Sequence, residues 1–499
     1  MAFESLAPLL NRLPAVSRPE GHVHFKKKLG WTLGILVLYF VLANIPLFGL
    51  DASSIDLFEL YRAFFAGASG SLMVLGIGPI VTASIVLQLL VGANVINMDL
   101  SDPHQQSIFQ GLQKLMVFVM IVLEALPQIF GGFIRPDAGL AAQMGVDVSV
   151  VTSLLFIQIC IGGILILYMD EIVSKWGIGS GVGLFIIAGV SQQLVTGIFN
   201  WKADETGFPI GLIPKWIYMA GPSSPISMDY LLSGDGLLFL LVKGGILALI
   251  STVLIYLMVV YVESTRIEIP LAHAAVRGAR GRFPVKLIYA SVLPMILVRA
   301  LQANLQMMGL ILSSRGITIL GEYSDPASGS TIPINGLMYY ISPINSPNDW
   351  IPSLVSSQFT SLGVAPPAIW QIILHVAADA FMLIVGGIIF ALFWIETTGM
   401  GAKSVAAKIH NSGMQIPGFR RTGGSLERVM QRYIPRVTVI GGAFIGFLTL
   451  VASLMGTLGG AGGTGLLLTV SIMYRLYEDI ASEQMMEMHP MMRSFFGKE

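Results

Sequence analysis

Ten long apolar runs constrain this sequence more than any other feature, because each is long enough to cross a lipid bilayer. The hydrocarbon core of a bilayer is about 30 Å thick, so a spanning helix needs roughly 20 mainly apolar residues. Lipid offers the backbone no hydrogen-bond partners, which favours helices, and the runs lack the alternating polar residues of a membrane β-barrel. We therefore predict an all-α, polytopic membrane protein with about ten transmembrane helices. The predicted spans lie near residues 30–50, 72–97, 115–134, 150–169, 181–200, 237–261, 285–312, 367–395, 437–458 and 463–480.

The composition argues against a water-soluble protein. Of the 499 residues, 54% are hydrophobic and only 12% are charged, which leaves too little charge for the surface of a soluble fold of this size. The formal net charge is zero, so overall charge predicts no nucleic-acid partner, and only local basic clusters could bind one. Cys160 is the sole cysteine and lies in an apolar run, which argues against a disulfide framework or a thiolate metal site.

The positions of lysine and arginine predict the orientation in the membrane. If the N-terminus is cytoplasmic, most of the 29 basic residues fall on the cytoplasmic side, as the positive-inside rule requires. Both chain ends are then predicted to be cytoplasmic. No small-residue cleavage site follows the first apolar stretch, so we expect it to remain as an anchor rather than to act as a signal peptide. On the opposite side lie Arg62, Arg135, Lys202, Lys215 and Arg315.

Four connecting segments stand out. Segments 262–286 and 396–436 are predicted to be basic cytoplasmic loops, and segment 313–366, rich in Ser, Pro, Gly and Asn, is predicted to form an external cap. Segment 55–67 is too short and too polar to span the membrane. Its apolar residues fall at helical spacing, which predicts a short amphipathic helix that lies on the membrane surface or folds into a cavity. The pattern alone favours the surface.

Motifs for catalysis are missing from the sequence. It has no GxxxxGK[ST] loop and no HExxH motif, and the Gly-rich segment 177–183 does not follow a strand as a dinucleotide-binding turn would. No grouping of Ser, His and Asp stands out either. We therefore predict a protein that is not an enzyme and carries no cofactor or metal, and that draws any energy from a partner or a gradient.

Five segments carry a resemblance to a known family. They are GIGPIVTASIVLQLLVG (76–92), DEIVSKWGIGSGVGLFIIAGVSQ (170–192), IPLAHAAVRGARGRFPVK (269–286), QIPGFRR (415–421) and GGTGLLLTVSIMYRLYE (462–478). With ten spans in the same order, from about residue 8 to 490, the sequence closely resembles the SecY family in its archaeal and eukaryotic branch. This family provides the channel subunit of the Sec protein translocon.

The resemblance implies both a fold and a function. The fold is two pseudo-symmetric halves of five helices, predicted here at 1–200 and 201–499, which close around an hourglass pore. The implied function is to pass unfolded secretory polypeptides across the membrane and to release apolar segments sideways into lipid.

A ring of aliphatic side chains is implied at the waist of the pore. Ile77 and Val81 are i,i+4 neighbours on one helical face, and so are Val182 and Ile186. Such a ring would block ions by dewetting and still yield to a passing chain. Without the resemblance, ordinary core or lipid-facing positions would be the simpler interpretation. The six matching positions are Ile77, Val81, Val182, Ile186, Ile296 and Leu468.

Segment 55–67 matches the plug of the family, which is seated under the ring from outside. The resemblance therefore favours the cavity over the membrane surface. The apolar residues of the predicted plug are Leu57, Phe58, Leu60, Tyr61, Phe64 and Phe65.

Three polar residues inside spans match the lateral gate of the family. Thr82, Glu124 and Asn304 fall where the second, third and seventh helices meet. Polar groups in lipid are costly and therefore point to function, here a seam that helps the gate open beside an apolar signal sequence. The alternative is three helices held together by ordinary hydrogen bonds.

Three further charged or titratable residues inside spans could form a proton relay. His375 and Asp379 are four residues apart on the eighth span, and Arg299 lies on the seventh. A relay would make the alternative function a proton-coupled secondary transporter of a small solute. A structural ion pair is the favoured interpretation.

The two basic loops dock the ribosome in the family. The resemblance therefore implies that Arg277, Arg280, Arg282, Arg420 and Arg421 bind RNA phosphates or another partner, although topology alone also demands basic residues there. The other implied partners are SecE-like and Secβ-like single-span subunits, signal sequences, nascent polypeptides and membrane lipid. The implied location is the plasma membrane, crossed many times, with both termini in the cytoplasm.

Overall fold

A computed structural model gives the fold of the chain. It describes residues 12–21, 23–51, 66–92, 95–96, 98, 103–130, 133–203, 207–221, 234–242, 244–273, 280–286, 292–324, 332–411, 414–415 and 423–488. Several predicted site residues lie outside these ranges. They are the plug residues Leu57, Phe58, Leu60, Tyr61, Phe64 and Phe65, and the loop residues Arg277, Arg420 and Arg421.

Ten long helices in the described ranges coincide with the ten predicted spans. They are α1 (Phe25–Ala43), α2 (Gly78–Gly92), α3 (Pro103–Phe130), α4 (Val148–Trp176), α5 (Gly181–Phe199), α6 (Ile246–Ser264), α7 (Leu293–Ser314), α8 (Ile369–Thr397), α9 (Gly423–Met455) and α10 (Gly462–Met488). By length and composition alone, seven of them, α3 to α9, can cross a membrane. A shorter helix, Gly234–Val242, precedes α6, and Gly245 between them has a left-handed φ of +77°.

Two of the predicted spans begin too early. Residues 72–77 form turns and α2 starts only at Gly78, because Gly76 takes a left-handed φ of +55° that lies outside an α-helix. Residues 280–286 form a strand, so α7 starts at Leu293 rather than near 285. Helices α3 and α9 instead begin before their apolar runs do, since the hydrogen bonds within a helix do not require lipid.

The two predicted basic loops meet in a small antiparallel sheet. Strand β1 (Arg266–His273) pairs with β2 (Arg280–Lys286) and, at its end, with β3 (Met414–Gln415). The start of β1 alternates polar and β-branched residues, which is the pattern of a strand. Sequence analysis treated both segments only as loops. We call the side of the molecule that carries β1 and β2 the hairpin face.

Short helices cover the opposite side, which we call the cap face. They are Gly336–Ile341 and Pro352–Ser361, both within the segment predicted to form a cap. The indole N–H of Trp350 donates to the carbonyl oxygen of Leu454 near the end of α9, at 2.8 Å. Tyr339 and Phe359 pack edge to face with ring centroids 6.2 Å apart. The first contact attaches the cap to the end of α9, and the second joins the two cap helices to each other.

Glycines allow α8 and α9 to pack backbone against backbone. A Cβ atom on Gly387 would lie 2.9 Å from the carbonyl oxygen of Gly442, and one on Gly446 would lie 2.5 Å from that of Leu383. Any larger residue would push the two helices apart. We refer to α1–α5 as the first half and to α6–α10 as the second half, and α8 and α9 form the tightest pair in the second half.

The outer surface of the bundle is apolar. On α6, for example, Val253, Leu257 and Tyr261 are exposed by 51%, 62% and 74%. An apolar surface of this extent faces lipid or another apolar partner rather than water. The protein is therefore embedded in a membrane.

Candidate pore and lateral seam

The segment before α2 is held deep inside the bundle. The hydroxyl of Tyr39 on α1 donates to the carbonyl oxygen of Ala66 at 2.8 Å, and Ala66 is buried. On α4, a Cβ atom at Gly162 would lie 1.8 Å from the carbonyl oxygen of Leu72, so this approach requires glycine. The two contacts place the start of α2 in the core, together with Ile77.

A partly buried carboxylate on α4 positions the start of α5. Asp170 Oδ1 on α4 accepts a hydrogen bond of 2.8 Å from the backbone N–H of Val182, whereas Ser180 at the N-cap makes no side-chain cap. A Cβ atom on Gly181 would lie 2.5 Å from the Cα of Asp170, so the glycine permits this close contact. The carboxylate satisfies a free N–H and faces the positive end of the helix dipole. It thereby holds α5, which carries Val182 and Ile186, against α4.

The six predicted ring residues lie in one hydrophobic core. Five of them are buried, and Val182 is partly buried and packs against the same core. They come from the start of α2 and from α5, α7 and α10. Helix α2 contacts α7, and α5 contacts α10, so these four helices meet where the two halves touch. The structure thus brings aliphatic side chains from both halves to a common interior. The residues are Ile77, Val81, Val182, Ile186, Ile296 and Leu468.

The structure also brings together the three residues of the predicted lateral gate. The amide of Asn304 on α7 donates to the hydroxyl of Thr82 on α2 at 3.3 Å. Glu124 on α3 is buried and lies beside Thr82. Within the described ranges, Glu124 Oε1 has no hydrogen-bond partner and no basic side chain pairs with the carboxylate. We call the contact between α2 and α7 at these residues, together with the adjoining Glu124 of α3, the seam.

Arg299 on α7 lies at the centre of a buried polar network. Its guanidinium donates to Asp379 Oδ1 on α8 at 2.9 Å, and both side chains are almost completely buried. It also donates to Gln302 Oε1 at 2.8 Å, to Thr464 Oγ1 on α10 at 3.0 Å, and to Ser453 Oγ on α9 at 3.4 Å. The favoured prediction of a structural ion pair agrees with this arrangement.

His375 does not belong to this network. Its Nε2 donates to the carbonyl oxygen of Ser342 in the cap at 2.8 Å, and its ring lies tilted against that of Tyr339, with the ring centroids 4.8 Å apart. Within the described part of the chain, no hydrogen bond joins His375 to Asp379, although they lie one turn apart on α8. The sequence spacing therefore suggested a relay that the side-chain directions do not form.

A small cavity of about 80 Å³ lies beside His375 under the cap. Tyr339, Ser342 and Asp349 contribute polar atoms to its lining. Burial raises the pKa of Tyr339 to about 12. Burial also raises the pKa of Asp349, although backbone N–H donors from Asn345 and Ser346 act in the opposite direction. The cavity is large enough for a few water molecules.

Comparison with known families agrees with this architecture. A family model described as SecY matches residues 71–477, and a second, described as the plug domain of Sec61p, matches residues 37–70. The chain belongs to the SecY family.

Individual relatives match over nearly their full length. The protein translocase subunit SecY of Archaeoglobus fulgidus is 57% identical over 498 residues, covering 100% of this chain and 99% of the relative. That of Halobacterium salinarum is 54% identical over 500 residues, covering 99% of each. A solved protein-conducting channel matches with a TM-score of 0.76 at 38% identity, covering 97% of this chain and 99% of that chain. Sec61 in a canine ribosome–channel complex matches with a TM-score of 0.73 at 38% identity, over the same shares of the two chains.

These matches confirm three predictions: the SecY family, the ten-helix fold in two halves, and the function as a subunit of a protein-conducting channel. They give no support to the alternative of a proton-coupled transporter. The division at residues 200 and 201 and the roles of the individual site residues stay predictions.

The predicted docking arginines are only partly described. The backbones of Arg280 and Arg282 lie in β2, opposite Ala272 and Pro270 of β1. The other three predicted arginines lie outside the described residues. At the end of β2, the ammonium of Lys286 pairs with Glu478 on α10 and lies 5.4 Å from the ring centroid of Tyr474. The hairpin of this SecY-family chain is therefore attached directly to α10, which carries Leu468.

Sequence analysis missed several residues that shape the site. Asp170 was quoted within a family motif but received no role, and Gln302, Ser453 and Thr464 were not singled out. An acidic residue on the helix that precedes the Gly-rich start of α5 could have indicated a carboxylate that caps α5. Ser453 and Thr464 carried no such signal, because they lie 154 and 165 positions from Arg299 in sequence. Gln302 lies three residues from Arg299 on the same helix, and that spacing could have indicated the contact. Within the described ranges, no group of three or more His, Cys, Asp or Glu side chains could hold a metal ion.

Proposed function

We propose that this chain forms the pore of the channel, through which unfolded secretory polypeptides cross and from which apolar segments leave sideways into lipid. One observation carries the proposal: four helices from both halves deliver the six predicted ring residues to one buried core. An aliphatic constriction of this kind excludes ions by dewetting and needs no charged filter. A passing polypeptide can displace the side chains, because each dispersion contact between them is weak.

The proposed plug is segment 55–67, seated against the ring. The support comes from the residue where the described chain resumes. Ala66 is buried, accepts a hydrogen bond from Tyr39, and belongs to the same hydrophobic core as the ring residues. A chain that enters the core at Ala66 favours a plug inside the bundle over a helix on the membrane surface.

The proposed lateral gate is the seam of Thr82, Glu124 and Asn304. Its contacts are few, since one hydrogen bond of 3.3 Å joins α7 to α2 at these residues. Glu124 is buried there without a cationic partner in the described ranges, which makes the closed seam costly. Separation of α7 from α2 and α3 would open a path from the ring to lipid.

The proposed orientation places the hairpin face and both termini in the cytoplasm and the cap face outside. The asymmetry of lysine and arginine supports it, because basic residues cluster in cytoplasmic loops. We place the protein in the plasma membrane, with halves divided at residues 200 and 201. The chain between α5 and α6 would then be the outer connection between the two halves.

The proposed partners bind at three places: the hairpin face, the apolar outer surface, and the pore with its seam. The hairpin face would dock the ribosome through Arg277, Arg280, Arg282, Arg420 and Arg421, whose guanidinium groups suit RNA phosphates. The related Sec61 comes from a ribosome–channel complex, which supports this assignment. The apolar outer surface would bind SecE-like and Secβ-like single-span subunits as well as lipid. Signal sequences and nascent polypeptides would bind in the pore and at the seam.

Replacement of two ring residues by asparagine tests the pore. Ile77→Asn with Ile186→Asn should hydrate the ring and let ions leak, while translocation continues and weak signal sequences are accepted more readily. The purified complex is studied in planar bilayers, where the resting conductance should rise. The matched control, Ile77→Val with Ile186→Val, keeps the ring aliphatic and should stay sealed. An unchanged conductance in the asparagine variant would refute the ring assignment.

Charge reversal at Arg420 tests the docking surface. Arg420→Glu should abolish productive coupling to the ribosome, and Arg420→Lys should weaken it partly, because Lys offers only a point charge. Protein level, association with small subunits and pore conductance should remain normal in both variants. Arg315→Glu, on the opposite face, is the matched control and should translocate a secreted reporter normally. If Arg420→Glu translocates normally and Arg277→Glu does not, docking belongs to the 262–286 loop.

A further inference from the structure

The buried guanidinium of Arg299 links four helices of the second half. It sits on α7, and its hydrogen bonds reach Asp379 on α8, Ser453 on α9 and Thr464 on α10. Gln302 on α7 also donates to the same Asp379 oxygen at 3.0 Å. All five side chains are buried, so water does not compete for these bonds. The network is therefore a fixed junction inside the second half.

Stability alone does not account for this ion pair. Burying two charges costs about as much as their attraction returns, and replacing such a pair by apolar residues of similar volume is often neutral or stabilising. Apolar residues, however, cannot fix the orientation of one helix relative to another, because their contacts have no preferred direction. The planar guanidinium fork holds several acceptors at fixed angles, which sets the relative positions of the helices that carry them.

The junction lies directly beside two members of the ring. Ile296 precedes Arg299 by three residues on α7, and Leu468 follows Thr464 by four residues on α10. Residues at these spacings lie on the same face of a helix, one turn apart. The hydrogen bond from Arg299 to Thr464 therefore ties together the two turns from which Ile296 and Leu468 project.

We propose that Arg299 is a positioning residue of the pore, which fixes Ile296 and Leu468, the contribution of the second half to the ring, by joining α7 to α10. This inference rests on the proposed ring function. It also excludes the relay interpretation, because an arginine side chain keeps its proton in proteins.

The junction has a second consequence for opening. Because Arg299 binds α7 to α8, α9 and α10 together, the four helices move as one unit, and the two ring residues keep their spacing while the seam opens. The ring can then change its diameter only through displacement of one half against the other. A lysine at position 299 could still pair with Asp379, but it could not also hold Thr464 and Ser453.

The experiment measures resting conductance and thermal stability of the purified complex for three variants. Arg299→Lys removes the fork but keeps the charge, and Thr464→Val removes only the link to α10. Gln306→Ala is the matched control: Gln306 is also buried on α7 and donates to the carbonyl oxygen of Met338 at 2.7 Å, but it does not reach α10. We expect Arg299→Lys to raise the resting conductance about tenfold, the change in an equilibrium that ~1.4 kcal/mol produces. Thr464→Val should leak less, and Gln306→Ala should stay sealed even if its melting temperature falls.

The outcomes separate this inference from the ring assignment. Wild-type conductance in both Arg299→Lys and Thr464→Val would overturn the role proposed for Arg299. A leak of equal size in Gln306→Ala would overturn it too, because the leak would then result from general destabilisation. If Arg299→Lys does not fold, Thr464→Val decides alone. The Ile77→Asn and Ile186→Asn pair serves as the positive control. If that pair leaks and the other variants do not, only the role of Arg299 fails; if that pair does not leak, the ring itself fails.

Discussion

The two sides of α7 are held in very different ways. Toward the second half, Arg299 makes a charged, fully buried set of hydrogen bonds to α8, α9 and α10. Toward the first half, Asn304 makes one neutral hydrogen bond of 3.3 Å to Thr82. The two residues are little more than one helical turn apart. The same helix is therefore anchored on one side and loosely attached on the other.

This difference indicates where the molecule can open. Charge-assisted hydrogen bonds are roughly twice as strong as neutral ones, and the junction contains several of them. The seam contains instead a carboxylate, Glu124, without a charge partner in the described ranges. Separation at the seam costs little, whereas separation of α7 from the second half would leave a guanidinium unpaired in the membrane. Opening should therefore move α7 together with α8–α10.

The largest expected effect comes from locking the seam. A cysteine pair at Thr82 and Asn304, in a background with Cys160→Ala, should form a disulfide or a short crosslink. The crosslink should abolish insertion of membrane proteins, because α7 can no longer leave α2, and reduction should restore it. Insertion of a model membrane protein into proteoliposomes measures the effect.

A matched pair inside the second half provides the control. A Cβ atom at Gly386 would lie 3.8 Å from the Cβ of Val298, which is the usual separation in a disulfide. A cysteine pair there joins α7 to α8 and should leave insertion intact, since these helices move together. Two outcomes would contradict opening at the seam. One is blocked insertion in this control, and the other is failure of the seam pair to crosslink with any substrate present.

The second prediction concerns the strength of the junction. Asp379→Ala leaves Arg299 buried without its counter-ion, which should cost about 3–5 kcal/mol. The complex should lose thermal stability in detergent. The double variant Arg299→Met with Asp379→Leu removes both charges and should recover most of that stability. A double variant as unstable as Asp379→Ala would show that the pair itself, and not the unpaired charge, carries the effect.

A smaller effect is expected at the seam. Asn304→Leu replaces the polar side chain that α7 contributes to the seam by an apolar one. We expect this to shift the opening equilibrium toward the closed state by about 1 kcal/mol, or roughly fivefold. Secreted reporters with weakly hydrophobic signal sequences should be translocated less efficiently, and those with strong signals should be unaffected. Ser314→Ala, exposed at the end of the same helix, is the control. Equal efficiency for weak signals in Asn304→Leu and wild type would contradict a role of the seam in opening.

The smallest effect is expected at the hairpin face. Lys28 on α1 pairs with Glu483 on α10 at 2.6 Å, with both side chains 20% exposed. Partly exposed ion pairs contribute about 0–1 kcal/mol and weaken with salt. Lys28→Ala should therefore shift the melting temperature slightly at low salt and not at high salt. A shift as large as that of Asp379→Ala would place a second strong junction between the two halves.

Sequence patterns predicted the long helices well and their ends less well. Runs of apolar residues identified the ten spans, because lipid imposes both length and composition on a helix. The ends of the helices depended on local backbone structure instead. The left-handed conformation of Gly76 delays the start of α2, and the strand that ends at Lys286 delays the start of α7. The pairing of β1 with β3 was missed because the two strands come from different loops, and it is invisible in either loop alone. Strands β1 and β2 lie in one loop, and the alternation at the start of β1 could have indicated a strand there.

For the site, the family resemblance named the residues and the structure brought them together. The resemblance indicated Thr82, Glu124 and Asn304, and the structure places them in contact, while their role in opening stays a prediction. The spacing of His375 and Asp379 suggested a common function. The structure separates them, because His375 points to Ser342 in the cap and Asp379 points to Arg299.

Local sequence patterns were sufficient to predict a membrane protein of ten helices and to indicate its family, because hydrophobic length and local motifs are properties of neighbouring residues. Which polar groups in the spans are paired, and how firmly, became clear from helix packing alone. The junction around Arg299 joins residues up to 165 positions apart in sequence, and the seam joins residues 222 positions apart. Contacts at such separations arise from helix packing, which no local pattern encodes.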